Sequence, residues 1–201
     1  MSVVLAEGDT EKNILPILGR RAHGELFIKC IDLKGKSNIV RLRDGFEDTV
    51  RRQVALGERS FVVLLDGDVT SAPYTTIEEE QREMARRAVV LAQELHIALQ
   101  VCWAVIETES WLIGGIRPGA SYCGLRGVGQ TPANTETIPQ DPKRWLKEHL
   151  KGGYDPQAQR CIANHINLAE AQAHNRSMQT FFGCFAPTGA IGTNPRRSHR
   201  R

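Results

Sequence analysis

The stretch FVVLLDGD at positions 61–68 is a run of five apolar residues that ends on two aspartates around a glycine. Its length and composition are typical of a buried β-strand. Two other apolar runs, at 3–6 and 101–106, also stop on acidic residues. The carboxylates that follow these runs are Glu7, Asp66, Asp68, Glu107 and Glu109. If the strands are parallel neighbours, their carboxyl ends share one edge, where α/β sheets place their ligands.

Carboxylates gathered at one edge would repel each other unless a cation joined them. Ligand sets made only of oxygen atoms suit Mg²⁺ or Mn²⁺. The chain therefore predicts a metal-dependent site, although each acidic group also has a purely structural interpretation. The segment from Glu7 to Glu11 could be a turn and a helix cap, since acidic residues are favoured in a first helical turn. Glu107 and Glu109, if still in a strand, would share one face.

Apolar segments and helical patterns alternate over the first hundred residues. The predicted strands are 3–6, 26–33, 61–66 and 97–106. Helices are predicted to be capped by Asp9 or Thr10, by Ser37, by Thr76 with Glu79 in a capping box, and by Asp141. The second is expected to be one helix that carries Ile39, Leu42 and Phe46 and ends at Gly57. Pro16 of the first helix is expected near its first turn. Such alternation predicts an α/β fold with a mostly parallel sheet flanked by helices.

The composition changes after residue 113, which predicts four segments. These are an α/β core at 1–113, a loop or insertion rich in Gly and Pro at 114–140, a small helical extension at 141–185 and a flexible basic tail at 186–201. The net charge of +3 depends on this tail, because removing its four arginines leaves −1. No run approaches the ~20 apolar residues of a membrane span, so we expect a cytoplasmic protein without membrane contact.

The five cysteines are odd in number and have no CxxC spacing, which favours reduced thiols. The six histidines have no HxxxH spacing, so no zinc site is predicted. Three basic residues near the end of the second strand, Lys34, Lys36 and Arg41, are candidates for contact with substrate phosphate. Lys34 to Ser37 ends like a P-loop, but Cys30 stands where that motif requires glycine, so an ATPase is excluded.

Several motifs resemble those of Toprim-like proteins. They are Glu-Gly-x-Thr-Glu at 7–11, Asp-x-Asp at 66–68 and Glu-Ser-Trp-Leu at 109–112. The continuing order of Asp141-Pro142-Lys143, Tyr154 and a late segment at 177–182 is similar to one bacterial Toprim-like group classed as a domain of unknown function. That group is related to Toprim nucleases of the overcoming-lysogenization-defect type.

The resemblance implies a Toprim-like, Rossmann-like fold that handles phosphodiesters with Mg²⁺ or Mn²⁺. It implies Glu7 as the general acid/base or metal-linked glutamate, Asp66 and Asp68 as metal ligands and Glu109 as a further ligand. All four are thus candidate catalytic and metal-binding residues. Relatives often place a lysine soon after the tyrosine, whereas Tyr154 is followed by Asp155, Pro156 and Gln157. Trp103 and Trp111 flank the last acidic group and are expected to wall the site.

The favoured hypothesis is a metal-dependent, nuclease-like domain acting on nucleic acid, in a bacterial defence or repair setting that only the resemblance implies. A protein partner from a defence system belongs to the same expectation. The absent lysine favours an alternative, a catalytically silent Toprim-like subunit that binds a partner or nucleic acid. The near-neutral body, without a basic stripe for a duplex, favours another, a phosphohydrolase acting on small nucleotides. The oligomeric state is not predicted.

Overall fold

Four parallel strands form one sheet in the order β2-β1-β3-β4 in the computed structural model, which describes residues 1–41, 45–67, 70–130, 132–136 and 139–185. The strands are β1 (Ser2–Ala6), β2 (Ile28–Asp32), β3 (Ser60–Asp66) and β4 (Ala98–Ala104). All three strand pairs are parallel, and Asp66 at the end of β3 is in register with Ala104 of β4. The prediction of a parallel sheet is confirmed.

Helices cover both faces of this sheet. They are α1 (Asp9–His23), α2 (Lys36–Val40), α3 (Phe46–Ala55), α4 (Ile77–Leu95), α5 (Glu109–Gly114), α6 (Pro142–His149), α7 (Pro156–His165), α8 (Leu168–His174) and α9 (Arg176–Gly183). Alternate residues of β1 enter two separate cores, because successive side chains of a strand point to opposite faces. Val3 and Leu5 pack with α2, α3 and α4, whereas Val4 and Ala6 pack with α1, α5 and the C-terminal helices.

Two predicted helix starts are confirmed by their caps. The Thr76 hydroxyl accepts a hydrogen bond from the backbone N–H of Glu79 at 3.1 Å, and α4 follows. The Asp141 carboxylate accepts one from the backbone N–H of Arg144 at 2.8 Å, with Pro142 at the first position of α6. Each side chain satisfies an amide that has no partner within its helix.

The single helix predicted from Ser37 to Gly57 is wrong. The chain forms α2 and α3 instead, and the predicted apolar residue Leu42 lies outside the described residues. The side chain of Arg87 donates to the carbonyl oxygens of Val40 and Arg41, so two carbonyl groups at the end of α2 have a partner outside the helix. Gly45 precedes α3, and a Cβ at Gly45 would lie 2.5 Å from the carbonyl oxygen of Arg41.

Helix α1 begins differently from the expectation. Its N-cap is Gly8, not Asp9 or Thr10, and the Glu11 carboxylate accepts a hydrogen bond from the Gly8 backbone N–H at 3.1 Å. Pro16 lies in the middle of α1 rather than near its first turn. Thr10 is therefore free to use its hydroxyl elsewhere, at the carboxyl edge of the sheet.

The last strand is shorter than predicted. β4 ends at Ala104, and Glu109 begins α5, so Glu107 and Glu109 do not alternate along a strand. Beyond Ala104 the chain stays close to the end of β3, because the N–H of Gly67 donates to the carbonyl oxygen of Ile106 at 3.1 Å. A Cβ at Gly67 would lie 2.6 Å from the carbonyl oxygen of Val105, so only glycine permits this contact.

The expectation that all five cysteines are reduced is also wrong. Cys123 and Cys161 form a disulfide with their Cα atoms 5.7 Å apart, while Cys30, Cys102 and Cys184 are thiols. Cys123 lies in a short 3₁₀ turn at Tyr122–Gly124, and tertiary folding brings this turn against α7. None of the described helices is both long and apolar enough to cross a bilayer. The tail predicted at 186–201 lies outside the described residues.

Candidate metal site at the carboxyl edge

Three of the four predicted acidic residues lie at the ends of neighbouring strands. Glu7 follows β1, Asp66 ends β3, and Glu109 begins the helix after β4. The Glu7 carboxylate accepts a hydrogen bond from the backbone N–H of Asp66 at 2.6 Å, which joins the ends of the two central strands. The fourth, Asp68, lies outside the described residues.

Two threonine–glutamate hydrogen bonds cross between α1 and the start of α5. The Thr10 hydroxyl donates to Glu109 at 3.0 Å, and the Thr108 hydroxyl donates to Glu11. Glu11 and Glu109 are both buried, at 5% and 1% exposure. The crossed pairs place two carboxylates from distant parts of the chain next to Asp66.

One lysine reaches this group of acids from the C-terminal helices. The ammonium of Lys143, on α6, lies 3.4 Å from the Glu109 carboxylate and 3.6 Å from that of Glu107. Burial opposes the charge of Lys143, but the carboxylates of Glu109, Glu107 and Asp66 together raise its pKa. Lys143 is therefore held as a cation at the edge of the cluster.

We call Glu7, Glu11, Asp66, Glu107 and Glu109 the acidic cluster. Burial raises the pKa of Asp66 well above its usual value, and the four other carboxylates raise it further. Burial also raises the pKa of Glu11 and of Glu109, although their threonine partners oppose the shift. The cluster is thus a place where negative charge is unfavourable without a further cation.

The donor set fits a hard divalent cation, because every ligand atom offered is a carboxylate oxygen. Among the described residues, no three of these carboxylates bring their oxygens within 4.8 Å of one another. That spacing is compatible with Mg²⁺, which usually keeps several waters and takes only one or two carboxylates directly. The remaining acids would then act through water.

The predicted basic residues occupy three different environments. Lys34 is exposed and pairs with Asp32, and Arg41 is an exposed residue that ends α2. Lys36 is buried, and its ammonium donates to the backbone carbonyl of Asp66 at 2.7 Å. The same ammonium lies 2.9 Å from Glu80 and 5.1 Å from the centre of the Trp103 ring. Of the three, Lys36 is the one placed directly behind the end of β3.

Trp111 does not wall the site. It is fully buried in the core, where its indole N–H donates to the Ser177 hydroxyl at 2.9 Å. Helix α5 begins at Glu109, so Trp111 follows it by about half a helical turn and faces the opposite side, toward α9.

Sequence reasoning missed Glu11, Lys143 and the buried phenol of Tyr154. Glu11 closes the Glu-Gly-x-Thr-Glu motif, and Lys143 belongs to the Asp-Pro-Lys motif, so both signals were present in the chain. Burial and the nearby Glu109 and Glu11 raise the pKa of Tyr154 well above its usual value. The motifs marked the correct segments, but only the fold showed which side chains meet.

Fold and site together define an α/β protein with an acidic cluster at the carboxyl edge of a parallel sheet. No protein-family model and no curated protein matches the chain. Among solved structures it is similar to the C-terminal region of the Burkholderia pseudomallei OLD protein, with 14% sequence identity and a TM-score of 0.43. The match covers 90% of this chain and 98% of that one.

Proposed function

We propose that this protein is a Mg²⁺- or Mn²⁺-dependent, nuclease-like protein that cleaves phosphodiester bonds of nucleic acid. The observation that carries the proposal is the environment of Asp66. Its side chain ends a central strand, is half-buried, and has four further carboxylates close enough to raise its pKa. Such an arrangement is costly for the apo protein and favourable once a divalent cation is bound.

The residues that would hold the cation are Glu7, Asp66, Asp68 and Glu109. When bound, the metal neutralises the nonbridging phosphate oxygens and lowers the pKa of a water molecule. Glu11 belongs to the same cluster, and its carboxylate accepts hydrogen bonds from the Thr108 hydroxyl and the Gly8 amide. These bonds hold the start of α1 against the ends of the strands. Glu7 accepts a hydrogen bond from the Asp66 amide, which fixes its carboxylate beside the end of β3, where it would accept a proton from the attacking water.

Lys143 supplies the positive charge that the motif resemblance expects after Tyr154. Its side chain is 42% exposed, so the ammonium can contact solvent and a phosphate oxygen while it stays near Glu109. We assign it the role of a phosphate contact at the cleaved bond. Lys34 and Arg41 are exposed, and we propose them as contacts to more distant phosphates.

The setting of the activity is proposed from the motif resemblance alone. It is bacterial defence or repair, with nucleic acid as substrate and a protein partner from the same system. The full chain carries four arginines at 196–201, which add charge that nucleic-acid phosphates would attract.

The test is nicking of supercoiled plasmid by the full chain in Mn²⁺ and in Mg²⁺. Asp66→Asn and Glu7→Gln should each lower the rate by about 100-fold or more, since each removes a ligand or proton acceptor needed in the transition state. Glu94→Gln is the matched control, because Glu94 is an exposed carboxylate of α4 that pairs with Arg51 and has no proposed role in the site. It should keep its rate within about threefold of the unchanged protein.

Cleavage that persists in both site variants would show a contaminating nuclease and reject the proposal. Metal-dependent binding of nucleic acid without cleavage would favour the silent binding subunit. A specific observation also favours a second candidate, since the chain without its four terminal arginines has a net charge of −1. Release of phosphate or a mononucleotide from small nucleotides, with intact plasmid, would support that phosphohydrolase.

A further inference from the structure

A second group of metal-ligand side chains lies away from the acidic cluster. It consists of Cys123, Cys161 and His165, whose ligand atoms all lie within 4.8 Å of one another. The Nδ1 atom of His165 is 3.8 Å from the sulfur of Cys123 and 3.8 Å from the sulfur of Cys161. Thiolate and imidazole are the ligands that Zn²⁺ prefers.

The fold holds these three side chains in place from two elements. Cys161 and His165 are one helical turn apart in α7, so they share a face. Cys123 has φ of +58°, a left-handed conformation that a non-glycine residue keeps only when its surroundings hold it. The ring of Tyr122 stacks on the His165 imidazole with centroids 5.4 Å apart, which fixes the plane of that ligand.

The sulfur–nitrogen distances already fit a tetrahedral zinc ion. Bonds of about 2.3 Å to sulfur and about 2.1 Å to nitrogen separate two ligand atoms by about 3.6 Å. The observed value for both cysteines is 3.8 Å. The imidazole therefore needs almost no movement toward either sulfur, and binding requires only that the two sulfurs part.

We propose that Cys123, Cys161 and His165 form a Zn²⁺ site when their disulfide is reduced. A dithiol breaks the S–S bond, leaves one thiol on each cysteine and is itself oxidised to a disulfide. Zinc then binds the two sulfurs and displaces the two thiol protons to solvent. The disulfide and the zinc ion are thus alternative links between the same two sulfurs.

The remaining ligands complete this assignment. In the disulfide form the Nδ1–H of His165 donates to the carbonyl oxygen of Cys161 at 2.8 Å. On metal binding Nδ1 would give up this proton and this contact, and the neutral ring would carry its proton on Nε2. The two cysteines line an open cavity of about 220 Å³ together with Asp155. Water or the Asp155 carboxylate takes the fourth position from this side.

Either link fastens the turn at Cys123 to α7, and α7 is connected to the acidic cluster through Thr10. The side chain of Gln159 in α7 donates to the Thr10 hydroxyl at 3.3 Å and accepts from Asn13 at 2.8 Å. Thr10 in turn donates to Glu109. The zinc site is chemically distinct from that cluster, because its thiolates select a softer ion than carboxylates do.

The experiment is a Co²⁺ titration of the full chain after reduction with a phosphine, followed by absorption spectroscopy. We expect a thiolate-to-cobalt charge-transfer band that saturates at one equivalent of thiolate-bound Co²⁺ per chain and is displaced by equimolar Zn²⁺. The oxidised chain should show no such band. Glu109→Gln should keep the band unchanged, since carboxylate ligation at the acidic cluster does not produce it.

The cysteine variants supply the matched comparison. Cys161→Ser should abolish the band, and His165→Ala should weaken Co²⁺ binding at least tenfold. Cys102→Ser, which alters a thiol outside the cluster, should leave both unchanged. The proposal is overturned if the reduced chain gives no band, if Cys161→Ser retains it, or if His165→Ala binds Co²⁺ as tightly as the unchanged chain.

Discussion

Buried charge is balanced on one side of the sheet and unbalanced on the other. Behind β3, Lys36 and Glu80 are 2.9 Å apart and almost fully buried, and Arg87 makes a two-point contact with Glu47 at 2.6 and 2.7 Å. At the carboxyl edge, five carboxylates gather and burial raises the pKa of Asp66 well above its usual value. Balanced pairs hold a fold together, whereas an excess of one sign prepares a place for a ligand.

The largest effect should come from breaking a balanced pair. Lys36→Met should lower the free energy of unfolding by about 3–5 kcal/mol, because it leaves the Glu80 carboxylate buried without its cation. Urea unfolding measures this loss. Adding Glu80→Gln to the same chain should restore a large part of it, and a loss below about 1 kcal/mol in the single variant would show that the pair is not structural.

In the acidic cluster we expect the opposite result, a substitution that raises the free energy of unfolding. Asp66→Asn should raise the free energy of unfolding of the metal-free protein by about 1–2 kcal/mol at pH 8, because it removes a charge that burial and four neighbours disfavour. The same variant should lose nicking activity, so stability and function change in opposite directions. A lower free energy of unfolding for Asp66→Asn would contradict the claim that excess negative charge destabilises the metal-free protein.

The gain from Asp66→Asn should depend on pH. The folded state raises the pKa of Asp66, so the folded chain holds this proton more tightly than the unfolded chain. Its contribution to stability is fully present below about pH 4 and is lost as the pH rises through the folded-state value. Unfolding curves from pH 4 to pH 8 should therefore show a difference between variant and unchanged chain that grows from near zero. Excess Mg²⁺ should reduce that difference.

A smaller change in stability is expected from replacing Lys143, the cation at the edge of the acidic cluster. Lys143→Met should destabilise the metal-free chain by about 1 kcal/mol, since a half-exposed ammonium is partly screened by solvent. The thermal midpoint should then rise more steeply with added Mg²⁺ than it does for the unchanged chain, because the metal replaces the lost charge. If the thermal midpoints of the two proteins rise equally with Mg²⁺, the charge of Lys143 does not contribute to the stability of the acidic cluster.

The smallest change in the free energy of unfolding is expected for an exposed ion pair, which serves as the reference for the buried ones. Arg51 contacts both oxygens of Glu94 at 2.6 and 2.7 Å, but both side chains are exposed. Arg51→Gln should change the free energy of unfolding by less than about 0.5 kcal/mol, because exposed ion pairs are screened and cost side-chain entropy. A larger loss would mean that short distances, rather than burial, decide the strength of ion pairs in this protein.

Local signals predicted the helices that carry their own caps. Thr76 with Glu79 and Asp141 with Pro142 are such cases, since each cap is completed within a few residues of chain. The helix from Ser37 to Gly57 was predicted wrongly because Arg87, far along the chain, takes the carbonyl groups that end α2. The disulfide was missed for the same reason, since Cys123 and Cys161 are 38 positions apart.

The amino-acid sequence by itself determined the parallel α/β sheet and the acidic residues that follow β1, β3 and β4, because strand periodicity and the alternation of strands with helices are visible in short segments of the chain. Tertiary structure alone decided that Glu11 and Lys143 join them, and that two cysteines and a histidine meet on α7. Those meetings depend on how helices pack across the sheet, and packing is a property of the whole molecule that no short segment encodes.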